Sequence, residues 1–342
     1  MEDWEKSSFY RFYQSTKYFQ ERKVQISYDT LIDESGRNEF DKLGMFSGRT
    51  QFINTIHRNF RILRPEYDTL WVDGEALPGF PFGWESFFLP LEKKVVLDIG
   101  DSLFNRYALE KSALKKYFLS DKFPGLIQRA DSVIVRNTMI QKYVSRYRND
   151  SILIPPSLDL NEYLPISHLE SGLESEFIMG FSGTHFSSHF LYKIMDVLKE
   201  LSRVYPIRLV IFNGNNKLEV PIRHTHISAR GSELIKEISG IDVGIYPLPN
   251  SLREMGNLCP EILEFMAMGK PVVASEIGSA LDYIKHGEDG FLCGTNDDWY
   301  LSLRSLLDER DTVEAMGKKA REKIEREYDN KLWFPTLFSA LN

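Results

Sequence analysis

The apolar positions of this chain fall into ten short runs, separated by longer stretches whose apolar residues recur every three or four places. "TLWVDG" (69–74), "KVVLDIG" (94–100), "SVIVRN" (132–137) and "SILIPP" (151–156) make one series. "FIMGFSG" (177–183), "IRLVIFNG" (207–214), "HTHISARG" (224–231), "DVGIYPL" (242–248), "PVVAS" (271–275) and "GFLCG" (290–294) make a second. Most of them lack the alternation of a strand with one wet face. They predict strands buried on both sides, as in a parallel sheet under helices. Between them "FLYKIMDVLKELSRVY" and "SELIKEISG" carry helical spacing, so the fold class is α/β.

The polar, aperiodic run "SHLESGLESE" separates the two series and reads as a linker over 167–176. That predicts an N-terminal domain over 1–166 and a C-terminal domain over 177–325. The aromatic tail over 326–342 is expected to dock back on the N-terminal domain. A chain of 342 residues is comfortable for two such cores.

Composition narrows the setting. Cys259 and Cys293 are the only cysteines, which excludes a disulfide framework and fits a reducing compartment. "MEDWEKSSFYRFYQ" is too acidic and polar for a secretory signal, and no apolar run approaches the ~20 residues of a membrane span. The expected location is cytoplasmic. A net charge of −7 without a recognisable binding motif argues against nucleic acid as a partner. The charge is uneven: residues 1–160 hold 23 basic against 22 acidic side chains, the remainder 19 against 27. Within 102–150 ten bases, among them Arg106, Lys111, Lys115, Lys116 and Lys122, face four acids. The plain reading is a solvated helix face. The sharper one is a peripheral contact with anionic lipid head groups at the inner face of the membrane.

Candidate chemistry concentrates in "GNLCPEILEFMAMGKPVVASEIG", 256–278. Pro260 suits a first helical position, Gly269 and Pro271 stop the helix, and "PVVAS" continues as a central strand. Glu261 and Glu264 share one helical face. Acids in a first turn complement the helix dipole by about 0.3–1 kcal/mol each. The alternative is chemical: the helix N-terminus offers backbone N–H groups to a phosphate, and a carboxylate one turn in accepts ribose hydroxyls. His224 and His226 alternate on a predicted strand without a third ligand, which makes them structural rather than metal-binding. Trp71, Trp84 and "LPGFPFGW" suit either core packing or a sugar-stacking face.

The stretch "PEILEFMAMGKPVVASEIG…DYIKHGEDGFL" resembles the donor-binding motif of GT-B glycosyltransferases, especially glycosyltransferase family 4. "IMGFSGTHFSSHFLYKIMDVL" is similar to that family's first strand, glycine loop and helix. "KVVLDIGDSLF" and "RADSVIVRNTMIQKYV…IPPSLDLNEY" resemble segments of its N-terminal half. The resemblance implies two facing Rossmann-like domains with an interdomain cleft, the C-terminal one holding a nucleotide-diphosphate sugar of UDP or GDP type. It implies transfer to a glycan or lipid-linked acceptor, with retention and without metal or cofactor, in cell-surface polysaccharide or glycolipid synthesis. By position Glu264 is identified as the ribose acid. Gly183 and Thr184 match the loop beside the diphosphate, Asn257 and Leu258 the backbone amides that meet it, and Ser228 and Arg230 the frame of the base.

The chain departs from that pattern in four places. Gly256 stands where a second Glu usually meets the sugar, leaving Glu254 as the nearest acid. The glycine loop lacks the usual Arg and Lys, so His185, His189, Arg253 and Lys270 become the candidate phosphate cations. Gly100 replaces an Asp or His beside the sugar, with Asp98 and Asp101 flanking it as candidate catalytic acids. "SSFYRFYQ" begins where relatives already have a first strand behind them, so an N-terminal domain short of that strand is expected. These departures support a rival, a catalytically silent GT-B protein that binds nucleotide or glycan or scaffolds a partner. A nucleotide-sugar epimerase is the third reading.

Overall fold

The structure is a computed structural model that describes residues 11–12, 14–29, 62, 66–89, 93–100, 103–108, 112–164, 176–184, 187–214, 217–252 and 254–342. Nearly all of the expected linker lies outside them. The chain forms two compact units. The N-terminal unit comprises Thr16–Arg136, Ile140–Ile154 and Thr336–Asn342; the C-terminal unit comprises Met1–Ser15, Asn137–Met139 and Pro155–Pro335.

All ten predicted strands are present. In the N-terminal unit β1 (Thr69–Asp73), β2 (Lys94–Ile99), β3 (Ser132–Val135) and β4 (Ile152–Leu153) pair in that order, parallel throughout. In the C-terminal unit β5 (Phe177–Ser182), β6 (Ile207–Phe212), β7 (His224–Ile227), β8 (Val243–Tyr246), β9 (Val272–Ser275) and β10 (Gly290–Cys293) form a six-stranded sheet. Its order is β10-β9-β8-β5-β6-β7, and every pair is parallel.

The continuous apolar runs have their physical cause here, because both faces of the larger sheet are covered. Phe177, Met179 and Phe181 of β5 point with Leu209 and Ile211 into a layer closed by Leu198, Trp299, Leu303 and Leu306. Val210, Phe212, Val272 and Ala274 point the other way, onto Ile262, Phe265, Met266, Ala320 and Ile324. A period of two with both sets apolar is the signature of a strand between two helical layers. Thr336–Asn342 packs in the N-terminal unit, where Phe338 stacks on Phe19 at 6.0 Å and Thr69 Oγ1 donates to the Leu341 carbonyl.

One prediction of local structure needs correction. "FLYKIMDVLKELSRVY" reads as one helix, but Ser187–Ile194 is a 3-10 helix and only Met195–Leu201 is α-helical. Thr184 and Ser187 cause the tight start: Thr184 N donates to Ser187 Oγ at 2.7 Å and Ser187 N to Thr184 Oγ1 at 3.2 Å. Such local hydroxyl bonds favour a tight turn over an α-helical one.

The basic stretch also differs from its reading as a solvated face. Lys122 is fully buried, with its ammonium 2.5 Å from Glu75 Oε2 and 3.0 Å from Glu85 Oε2. Arg136 is buried between Asp98 (2.9 Å) and Asp73 (3.0 Å). Arg148 donates to the Ile127 and Ala130 carbonyls at the foot of β3. Lys122 and Arg136 are internal and Arg148 is half-buried, whereas Lys115, Lys116, Lys142 and Arg146 are exposed. Lys111 lies outside the described residues.

Candidate functional site

In a parallel sheet, groups that bind ligands gather beyond the carboxyl ends of the strands. At that edge of the six-stranded sheet β5 ends in Gly183-Thr184, both buried. A Cβ on Gly183 would stand 2.6 Å from Ser187 Oγ and 2.8 Å from the Phe181 ring, so glycine is dictated by packing. The loop's amides face inward: Gly183 N donates to the Phe212 carbonyl and Thr184 N to Ser187 Oγ.

The segment leaving β8 makes the other wall. A 3-10 turn, Glu254–Gly256, leads into a tight loop at Asn257-Leu258-Cys259 and then the helix Pro260–Ala267. Asn257 organises it: its Nδ2 donates to Glu254 Oε2 (3.1 Å), its Oδ1 accepts from Cys259 N (3.0 Å), and its own N–H donates to the Glu254 carbonyl (3.0 Å). Cys259 takes a left-handed conformation (φ 46°, ψ 48°) directly before Pro260. Such backbone costs of order 1–3 kcal/mol for a residue with a side chain and clusters at functional sites. The loop is braced from behind by Tyr283 Oη, which donates to the Leu258 carbonyl at 2.8 Å. Gly278 at φ +60° adds to this, since a Cβ there would lie 3.0 Å from the Glu254 carbonyl.

Of the two amides expected at a diphosphate, Asn257's is thus engaged with Glu254. Leu258's makes no hydrogen bond among the described residues and stays available at the head of the helix. The two helical acids separate in role. Glu261 is 3% exposed and accepts from Tyr246 Oη at 3.1 Å, a structural contact. Glu264 is 5% exposed, one turn further in, and so is withdrawn from bulk solvent. Burial pushes the thiol of Cys259 well up, and the nearby Glu261 and Glu254 carboxylates add to the effect.

Ser228 and Arg230 are exposed just beyond β7, at the same edge. Asn213, which ends β6 with φ 57°, fixes their loop by exchanging two hydrogen bonds with Ala229 (2.8 and 3.1 Å). His189 is exposed on the 3-10 helix, 6.2 Å from the Tyr192 ring. Asp101, His185 and Arg253 lie outside the described residues.

Lys270 requires a correction. It sits between the Pro260–Ala267 helix and the start of β9, at the amino edge of the sheet, with Asp242 at the foot of β8 among its electrostatic neighbours. The helix runs antiparallel to the strands, so its far end cannot serve a phosphate at its head. Asp98 is corrected as well. It is completely buried, takes hydrogen bonds from Trp71 Nε1 (3.2 Å) and Arg136 Nε (2.9 Å), and anchors the strand ends rather than facing an acceptor. The same arginine explains Gly100: a Cβ there would lie 2.7 Å from the Arg136 guanidinium.

A cation that sequence reasoning missed stands at the carboxyl edge. Lys193 reaches from the 3-10 helix across β8 and β9, donating to the Leu248 carbonyl (2.8 Å) and Ser275 Oγ (3.1 Å). Both partners are neutral, and burial pulls its ammonium below the ordinary lysine range. Only its place ten residues after the glycine loop hinted at it.

The C-terminal unit thus brings to the carboxyl edge of a doubly covered parallel sheet a helix N-terminus, a buried acid one turn in and a cation. Residues 189–323 match the family model described as glycosyl transferases group 1. Over 150 residues the chain is 32% identical to the sulfoquinovosyl transferase SQD2 of Arabidopsis thaliana, covering 40% of this chain and 28% of that protein. Over 69 residues it is 30% identical to the N-acetyl-alpha-D-glucosaminyl L-malate synthase of Bacillus anthracis, covering 20% and 18% respectively. The matches thus span less than a third of either curated relative. Among solved structures, sucrose-phosphate synthase from Thermosynechococcus elongatus superimposes with a TM-score of 0.64 at 16% identity, covering 86% of this chain and 79% of that one. Anabaena HepE in complex with UDP-glucose gives 0.62 at 16%, covering 84% and 82%. The fold of the two parallel-sheet units is therefore GT-B.

Proposed function

We propose that the protein is a glycosyltransferase that moves a sugar from a nucleotide-diphosphate sugar to a glycan or lipid-linked acceptor. We further propose retention of configuration, no metal or cofactor, and a place in cell-surface polysaccharide or glycolipid synthesis. The observation that carries the reading is Glu264, withdrawn from solvent one turn inside the helix headed by the Leu258 amide. In this reading Glu264 accepts the ribose hydroxyls and Leu258 N–H donates to the diphosphate. Ser228 and Arg230 frame the base, while Glu254 and Asn257 border the sugar.

Charge develops on the diphosphate as the glycosidic bond to the donor breaks, so catalysis rests on groups already aimed at it. Lys193 supplies the permanent cation that the glycine loop lacks, and its neutral partners leave its charge to a ligand. The family match and the UDP-glucose held by the HepE crystal support a nucleotide-sugar donor.

Thermal-shift titration with UDP, GDP and their sugars tests the proposal. The expected result is stabilisation by one nucleotide series, followed by nucleotide release when acceptor extract is added. Binding without release supports the silent protein, and interconversion of donor sugars alone supports an epimerase. No shift with any nucleotide overturns the reading.

A further inference from the structure

Two short helices of the N-terminal unit invert the usual pattern of burial. Phe82–Phe88 buries the charged Glu85 but exposes Trp84 (52%) and Phe87 (79%). Ala113–Leu119 buries only Leu119, while Leu114 (68%), Tyr117 (77%) and Phe118 (54%) face outward with Lys115 and Lys116 also exposed. Positions 114, 117 and 118 share one side of a helix, opposite Leu119; Lys115 borders that stripe, and Lys116 lies on the far side beside Leu119.

The two helices are fastened to one root. Lys122 follows the second helix after a two-residue turn and is fully buried against Glu75 and against Glu85 of the first. Tyr107 Oη closes the cluster on Glu75 Oε2 at 2.6 Å. Gly125 lies against the Phe82 ring, where a Cβ would come within 2.4 Å of it. A buried ion cluster thus holds two aromatic tips in place.

We propose that these tips form a membrane-docking surface, inserting Trp84, Phe87, Leu114, Tyr117 and Phe118 into the interface of an anionic bilayer while Lys115 pairs with its head groups. Three features favour a bilayer over a protein partner. The second helix exposes six of its seven residues, so it protrudes and offers no groove to fill. Trp and Tyr suit the head-group level, where one end is apolar and the other wet. The helix carries two lysines and no acid, which complements anionic lipid. No helix among the described residues is long and apolar enough to cross a membrane, so the contact is peripheral. The inference is independent of the transfer reaction.

The test is co-flotation of the full chain with vesicles of phosphatidylcholine, with and without phosphatidylglycerol. Binding is expected only to the anionic vesicles. It should fall by about tenfold or more in the Leu114→Ser/Tyr117→Ser/Phe118→Ser variant. Lys115→Glu should lower it by about fivefold or more, and Lys116→Glu, on the far side of the helix, by less. In case the triple variant fails to fold, brominated lipid should quench the tryptophan fluorescence of the native chain, and Trp84→Phe should remove that quenching. Absence of vesicle binding, binding unchanged in the variants, or a stripe that governs self-association and not flotation overturns the proposal.

Discussion

The two sheets treat the charges at their strand ends in opposite ways. In the N-terminal unit Arg136 is matched to Asp98 and Asp73, and Lys122 to Glu75 and Glu85, so each buried cation has carboxylates beside it. In the C-terminal unit Lys193 is held at the carboxyl edge by a carbonyl and a hydroxyl. A cation already matched to carboxylates acts as a structural tie. A cation held by neutral oxygens keeps its charge for a ligand. Under the proposed function, ligand electrostatics belong to the six-stranded sheet and the buried charges of the four-stranded one to architecture.

The largest effect that sharpens this contrast is structural. Lys122→Met strands Glu75 and Glu85 and should cost about 3–5 kcal/mol of stability at neutral pH. Urea denaturation measures it, and the loss should shrink as acid protonates the two carboxylates. Burial already holds the Glu85 carboxyl above its ordinary range, against the lowering by Lys122 and the Ala76 N–H. A loss below 1 kcal/mol would make the cluster incidental.

The matching change in the other unit should leave the fold largely intact and alter binding. Lys193→Met is expected to weaken UDP or GDP by about 1.5–3 kcal/mol, the scale of a lost charged hydrogen bond, and the bare nucleoside hardly at all. Calorimetric titration of both ligands checks this. Equal losses for nucleoside and diphosphate would assign Lys193 a packing role.

A smaller, pH-dependent effect belongs to the sheet edge. Burial, aided by the neighbouring His224, holds His226 below the ordinary histidine range. The folded state therefore keeps His226 neutral while the unfolded chain takes up a proton below about pH 6.5. Stability should be flat above that point and fall as pH drops through it, and His226→Gln should flatten the profile. Thermal melts across pH measure the slope. The two rings meet edge to face at 5.3 Å, and no cluster of three metal-ligand types exists among the described residues.

The strands were legible because a doubly covered parallel strand is an apolar run that needs no partner to be recognised. The Pro260–Ala267 helix was legible from both ends, through Pro260 and the left-handed Gly269 at φ 69°. What escaped the sequence depends on distant contacts. Lys193 finds Leu248 and Ser275 at 55 and 82 positions away, and nothing in its local pattern announces them. Lys122 and Arg136 look like surface charges until their acids are brought up from 47 and 38 positions away. Lys270 misled for the converse reason, since adjacency to a motif is not adjacency to its business end. An eight-residue helix carries the chain about 12 Å, enough to move a residue to the opposite edge of the sheet.

Glu264 carries the account, and one titration addresses it. Glu264→Ala, with its fold verified by circular dichroism, should bind the nucleotide that stabilises the native chain about 1–3 kcal/mol more weakly. The loss should be largest for ribose-bearing ligands and should vanish for inorganic pyrophosphate. Unchanged nucleotide affinity in the folded variant would contradict the assignment and remove Glu264 from the site.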